Sequence, residues 1–449
     1  MVQKLNSLKN LFKKTVVQPN VPASGHNPPN SPPVNIDVRT ESVSIIGLGG
    51  TGVRISYAVC NMKEPPIGIG AKVGLDLDSD WKPEGELHNY EWYLVGAHAT
   101  PAQGVFTHPE AIFDSEFTAD NISDMNENGV KKVVDVLSGP GLGDNIVFII
   151  FSSSGGTGHG IFRSLSKRYD SKQGKEKLAR IVVPFVVLPK DSEDIQLLCS
   201  SIGAFGTLFK NSINSIFPVK ILVDNTILEK VTRVTNKEEC NKYLAECIRV
   251  ITTSIDLSIK QSDAVSAINR AILNLTVSRY PIITTIGYSS VRGYGDAYNS
   301  AQKAIKDALN NLLLKPIGSN DSRRAITFVI APSRLDGSKI KKAIQDYFKQ
   351  KGYMHNTIFF SQSPTYNIDV VVWVTGKFKP SFLEKINKLS KSELDGEINN
   401  KIQLFQREMN NHFPNKPNNK LVVNDAKTDI YEGIKVLNKY CGGSIDDGN

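Results

Sequence analysis

The stretch that most constrains this chain is residues 146–160, IVFIIFSSSGGTGHG. Its first half is a continuous apolar run of β-branched and aromatic side chains, the pattern of a strand buried on both faces of a parallel sheet. It then breaks into Ser and Gly, and residues 161–170 read as the start of a helix. A strand that feeds a glycine-rich turn at a helix N-terminus presents backbone N–H groups to an anion, most often a phosphate. Glycine allows φ > 0 and lets a ligand approach the backbone closely. Taken alone, such a turn is equally well a tight strand–helix connection. The chain carries a second one upstream, residues 47–52, GLGGTG, and the pair favours a nucleotide.

The rhythm around the two turns is α/β. Residues 42–46 and 72–77 read as strands, with a helix over 53–62 between them. Residues 85–120 read as irregular, with a loop at 96–104 (GAHATPAQG), and 121–137 as a helix. After the organising strand come a strand over 180–188, the polar turn 189–194 (PKDSED), a helix near 195–211 and a strand over 220–224. A longer helix covers about 237–260, and 263–275 reads as another. The pattern then changes: strands at 280–288, 325–331, 357–361 and 368–375 enclose helices over 296–314 and 339–351. Residues 381–410 read as one long charge-rich helix or two, and 418–449 as a tail with one short helix. No internal repeat is visible.

The expected architecture is therefore an N-terminal Rossmann-like domain on a parallel sheet (41–236), a long central helix with its following loop (237–262), a second α/β domain (263–379) and a C-terminal helix and tail (380–449). Residues 1–40 stand apart. Leu5, Leu8 and Phe12 share one face of a short lysine-rich helix, and six prolines between positions 19 and 33 mark a linker. That helix either docks on a membrane or protein partner or packs on the body of the chain.

At 449 residues there is room for two or three domains with sizeable cores. No apolar run is long enough to span a membrane, and the N-terminus lacks a secretion signal. Five scattered cysteines without a CxxC pair read as reduced thiols, so the expected location is the cytoplasm. A formal charge of +8 is compatible with nucleic acid or an anionic membrane, and equally with an ordinary solvated surface. Direct nucleic-acid binding stays open.

GLGGTG after a strand matches GxGxxG, and Asp76 or Asp78 lies about 20 residues on, where a Rossmann acidic residue holds a ribose. An NAD(P)-dependent oxidoreductase is thus an alternative reading. Neither turn supplies GxxxxGK[ST], which disfavours a P-loop NTPase. The remaining strand ends are polar as well: Asp76 and Asp78, residues 190–194, and Asp224 with Asn225. Ligands of open α/β sheets bind beyond those C-terminal strand ends.

The order of elements over about residues 42–376 resembles the tubulin/FtsZ superfamily of polymerising GTPases. SSGGTGHG at 153–160 is similar to that family's GGGTGSG loop, with Ser154 for the first Gly and His159 for the usual Ser. GLGGTG resembles its first phosphate loop, and Arg54 stands near where FtsZ has a loop Asn. Asp76-Leu77-Asp78 is similar to the Asp-Leu-Glu of tubulin, Asp224-Asn225 to the start of the guanine-binding region, and GAHATPAQG occupies the place of the γ-phosphate-sensing loop.

The resemblance implies GTP or GDP as ligand, with Mg2+. The nucleotide contacts it implies are Gly47, Leu48, Gly49, Gly50, Thr51, Gly52 and Arg54 in the first turn, and Ser154, Gly155, Gly156, Thr157, Gly158 and His159 in the second. Ala97, His98 and Ala99 would sense the γ-phosphate; Asp76, Lys190, Glu193 and Asp194 would line the phosphate and ribose; Asn225 and Asn241 would meet guanine. Asp78 would hold magnesium through water. In the family the next subunit supplies the carboxylate that positions water. The FtsZ loop NxDFxD is missing here, and Asp263, in SIKQSD, is the first candidate and Asp256 the second. The implied partner is another copy of the chain, head to tail. The C-terminal segment resembles that of TubZ and phage tubulins, in which a C-terminal helix reaches the next subunit; the TubZ tail binds a DNA-bound adaptor, and the resemblance implies such an adaptor here. An FtsZ-like division or membrane-tethered scaffold is the other cytoskeletal reading.

Overall fold

The unbroken apolar run at 146–152 has a simple cause. In strand β4 (Ile146–Ser152), Ile146, Phe148 and Ile150 enter one hydrophobic core, and Val147, Ile149 and Phe151 enter another on the opposite face. Period-two alternation exists, but both faces are covered, so no polar residue marks it. The computed structural model describes residues 43–62, 69–76, 90–94, 127–138, 146–169, 181–210, 217, 219–259, 271–272, 283–318, 323–412 and 419–442.

Ten strands form a single sheet in the order β10-β9-β11-β7-β6-β5-β4-β1-β2-β3. They are β1 (Val43–Leu48), β2 (Ile69–Asp76), β3 (Tyr90–Leu94), β4, β5 (Ile181–Leu188), β6 (Lys220–Asp224), β7 (Ile283–Arg292), β9 (Arg324–Pro332), β10 (His355–Ser363) and β11 (Asn367–Gly376). A small second pair joins β8 (Lys315–Pro316) to β12 (Phe378–Lys379). Strands β1 to β6 are all parallel, in the doubly wound order 3-2-1-4-5-6. Strand β7 continues parallel to β6, whereas β11 runs antiparallel between β7 and β9. One sheet thus runs through both halves of the chain.

Helices cover both faces. On one face lie α1 (Gly49–Cys60), α5 (Asn225–Thr232) and the long α6 (Lys237–Ile259). Helix α6 packs on α1 and also under β9, β10 and β11. Arg249 Nη2 donates to Asp369 Oδ2 of β11 at 3.1 Å, and the Tyr243 ring meets Tyr288 of β7 edge-on. Below it, Trp373 contacts Phe148 and Phe328 edge-on at 6.0 and 4.9 Å, so aromatic packing joins the two halves.

The opposite face holds α2 (Glu127–Ser138), α3 (Gly156–Tyr169), α4 (Ile195–Phe209), α7 (Ala297–Asn310) and α8 (Gly337–Gln350). The C-terminal helices α9 (Leu383–Ile386), α10 (Lys391–His412) and α11 (Asn419–Tyr440) belong to it too. Helix α11 lies against α4 at backbone contact: a Cβ added to Gly206 would fall 1.8 Å from the Asp429 carbonyl oxygen, and one on Gly433 1.8 Å from that of Ile202.

Two expectations change, and one alternative is resolved. Strand β3 lies inside the stretch read as irregular; its edge position leaves only β2 to pair with, and the run is short. The segment after residue 418 holds a helix of 22 residues, because Ile430, Ile434, Leu437 and Cys441 form a buried stripe facing α4. The segment 381–410 is two helices, α9 and α10. The expected helical docking at residues 4–14 lies outside the described residues, as does most of 263–275. Among the described residues no helix is long and apolar enough to cross a membrane, and the five cysteines are free thiols.

Lys220, at the start of β6, is 1% exposed. Its Nζ donates to the Phe217 carbonyl at 2.6 Å and stands 5.1 Å from the Phe209 ring centre. Burial pulls its pKa from 10.5 to about 7. Between these values the unfolded chain binds the extra proton, so stability should rise with pH from about 7 to 10, by roughly 3–4 kcal/mol. Urea denaturation at pH 7 and 9.5 checks this: Lys220→Met should remove most of the rise.

Candidate functional site: two glycine turns at one strand edge

Strands β1 and β4 are neighbours, with Gly47 opposite Ile150. Their C-terminal ends therefore release the two glycine turns side by side. The turns touch. Gly49 has φ +67°, which favours glycine, and a Cβ there would sit 2.7 Å from the Gly158 amide nitrogen and 3.4 Å from Thr157 Cβ. Reciprocally, a Cβ on Gly158 would meet the Leu48 carbonyl oxygen at 2.6 Å.

Both turns merge into helices earlier than expected. Helix α1 begins at Gly49 and α3 at Gly156, so Gly49, Gly50, Thr51, Gly52, Gly156, Thr157 and Gly158 form first turns. Those first turns carry unpaired N–H groups and the positive end of the helix dipole. Neither contains an acidic residue. Leu48, at the N-cap of α1, makes no side-chain cap. Two converging helix starts without acidic side chains suit an anion with several phosphates.

Neighbouring strand ends add to the rim. Asp76, at the end of β2, is 2% exposed, and a Cβ on Gly50 would stand 3.5 Å from its Oδ2. Beyond β5 the turn is self-bonded: Lys190 N–H donates to Glu193 Oε1 at 3.2 Å, and the Lys190 ammonium pairs with Glu229 of α5. Asp194 caps α4, accepting from Gln196 N–H at 3.0 Å. Beyond β6, Asp224 is fully buried and caps α5, accepting from Thr226 and Ile227 amides and from Ser381 N–H at 2.6 Å. Burial raises its pKa, against the pull of those amide donors. Its carboxylate is thereby consumed structurally, leaving half-buried Asn225, the first residue of α5, as the side chain at that strand end. Strands β2, β1, β4, β5 and β6 are consecutive in the sheet. At about 4.8 Å per step their ends span roughly 19 Å, within reach of one extended ligand.

The other expected residues are distributed differently. Arg54 is exposed on α1. Ser154 is 9% exposed and shares a hydrogen bond with Ser152. The His159 ring turns toward α4, with Nε2 3.3 Å from Thr207 Oγ1. Asn241 is half-buried at the fifth residue of α6, and α5 separates it along the chain from Asn225. Asp256 lies within the last turns of α6 at 2% exposure, not in the loop after it. Asp78, Ala97, His98, Ala99 and Asp263 lie outside the described residues. Sequence reasoning passed over Thr226, whose hydroxyl accepts from Asp191 N–H at 2.9 Å and ties the β5 turn to α5. It also passed over Ser153, which bonds Ser201 of α4 at 2.9 Å. Among the described residues no cluster of three metal-ligating side chains occurs.

Comparison of the coordinates with solved structures decides the fold. CetZ2 from Haloferax volcanii, in a GTPγS-bound protofilament, matches with TM-score 0.54 over 82% of this chain and 99% of that one, at 15% identity. TubZ of Bacillus thuringiensis serovar israelensis, a GTPγS-form protofilament, matches with TM-score 0.53 over 85% and 95%, at 14% identity. An FtsZ dimer from M. jannaschii matches with TM-score 0.51 over 75% and 88%, at 15% identity. This is the tubulin/FtsZ fold. No protein-family model and no curated sequence matches the chain. The expected α/β architecture holds, and at 14–15% identity these structures share the fold with this chain.

The contact between the turns makes a direct prediction. Gly158→Ala forces the turns apart and should cost about 1–3 kcal/mol. Gly155→Ala, whose added Cβ meets nothing nearer than 3.9 Å, should stay within about 0.5 kcal/mol of the parent. Thermal melts of the two variants compare them.

Proposed function

We propose that this chain binds and hydrolyses GTP with Mg2+ and assembles head to tail into filaments. The observation that carries the reading is the contact of Gly49 with Gly158, which makes two helix N-termini one phosphate cradle. A dinucleotide enzyme needs one glycine turn for its pyrophosphate; the second turn, in contact with the first, favours a triphosphate. The GTPγS-bound relatives of the same fold add support.

In this reading the amides of Gly49 to Gly52 and Gly155 to Gly158 hold the phosphates, and the Thr157 hydroxyl donates as well. Glu193 and Asp194 accept from the ribose hydroxyls, with Lys190 alongside. Asn225 and Asn241 hydrogen-bond guanine. Ala97, His98 and Ala99 face the γ-phosphate. Asp76 and Asp78 close the β2 side, and Asp78 holds Mg2+ through water, which offsets negative charge on the phosphates. Asp263 of one copy orients water against the phosphate held by the next, a positioning and electrostatic task that one carboxylate can perform. Buried Asp256 is the poorer candidate. A head-to-tail contact that does not close gives an open filament.

For the process served, we infer DNA positioning through an adaptor. Residues 380–449 carry ten basic and ten acidic side chains, so this segment has no net attraction for a phosphate backbone. Recruitment by an adaptor protein suits that balance better than direct binding. TubZ shares the fold over nearly its whole length. An FtsZ-like scaffold tethered through residues 4–14 is the second reading, favoured by the apolar face of that segment.

Negative-stain microscopy and phosphate release with GTP, GDP and GTPγS test the proposal: filaments should need GTP or GTPγS, and only GTP should release phosphate. Asp263→Ala should assemble while releasing phosphate roughly 100-fold more slowly. Unchanged phosphate release would remove Asp263 from its role; tight NAD(P) in place of guanine nucleotide would overturn the whole reading.

A further inference from the structure

Helix α3 opens in the second glycine turn and carries His159 and Arg163 one helical turn apart on a single face. That face looks into a buried polar cluster. Asp429, from the middle of α11, is 4% exposed, and its Oδ2 accepts from Arg163 Nε at 2.8 Å and from Thr207 Oγ1 at 3.2 Å. Lys210 Nζ stands 3.7 Å from its other oxygen. Thr207 Oγ1 also receives the His159 ring at 3.3 Å. When the single Thr207 proton goes to Asp429, the His159 contact is a donation from Nε2–H.

A buried ion pair is a poor source of stability compared with apolar packing of the same volume, yet losing one partner is costly. Here the pair lies in a seam where Gly206 and Gly433 bring α4 and α11 to backbone contact. That closeness fixes the height of the Asp429 carboxylate along α3. A shift of α11 would therefore displace Arg163, Thr207 and His159 together.

We propose that Asp429 is a positioning residue for the second glycine turn, so that docking of α11 and occupancy of the nucleotide site are one linked equilibrium. The inference rests on the guanine-nucleotide reading above. By linkage, nucleotide must then tighten α11 by the same factor that α11 tightens nucleotide.

The test uses the full chain, GTPγS titration by calorimetry, thermal melts and backbone hydrogen exchange. Asp429→Asn should bind GTPγS about tenfold or more weakly, within the usual range of coupling. Thr207→Val, which removes the link to His159 but leaves Arg163 paired, should lose less. Ile434→Ala, which thins the same seam away from the cluster, should lower the melting temperature, speed exchange over 419–440 and weaken GTPγS binding in step with the docking it loses. In the parent, GTPγS should slow exchange across residues 419–440. Unchanged affinity in both cluster variants, parent affinity in Ile434→Ala despite faster exchange over 419–440, or parent exchange over 419–440 indifferent to GTPγS would each overturn the proposal. If Asp429→Asn does not fold, Thr207→Val and the parent's exchange decide. A parent that binds no GTPγS overturns instead the guanine-nucleotide reading on which the proposal stands.

Discussion

The contact on which the rest depends is between two backbones, at Leu48–Gly49 and Gly158. It requires parallel neighbours, a shared register that places Gly47 opposite Ile150, and side chains absent at the meeting point. Each condition is cheap alone. Together they bring two helix starts into contact, and unpaired amides at a helix start favour a partner with negative charge. The burial of β1 and β4 on both faces holds this geometry, because neither strand can slip in register without moving its whole apolar set.

The parts of this fold that were legible in sequence were those with a local physical cause. Continuous apolar runs announced β4 and β5, and glycine runs at the ends of β1 and β4 announced the turns. The starts of α1 and α3 inside the glycine runs were not legible, since glycine is a poor helix former and reads as a turn. Here the ends of two strands supply what the propensity lacks. Strand β3 was hidden by its short length at a sheet edge. Helix α11 was hidden differently: Ile430, Ile434 and Leu437 do repeat at helical spacing, but flanking Asn, Asp, Gly and Pro residues obscured the stripe.

Site residues divide along the same line. Glycines and the Asp224-Asn225 pair could be located because their neighbours in sequence are their neighbours in space. The partners of His159 could not: Thr207 lies 48 residues away and Asp429 a further 222 from Thr207. Asp256 falls inside the long helix read over 237–260, as observed, but its burial at 2% exposure depends on packing that the sequence does not announce. The polar strand ends also proved to be of two kinds. Asp224 and Asp194 are taken up by capping, and Asn225 is left at the rim, a distinction that depends on which amides lie within 3 Å and not on residue type.

The pairing of α11 with α4 has a consequence for biosynthesis. The surface of α4 that Ile430, Ile434 and Leu437 cover is translated more than 200 residues before them, as the 222-residue separation of Thr207 and Asp429 shows. At about 5–20 residues per second, that apolar flank waits on the order of 10–45 s on the ribosome for its cover. Vectorial folding from the N-terminus therefore cannot finish the first half of this molecule, and a helix made much later closes a wall begun long before.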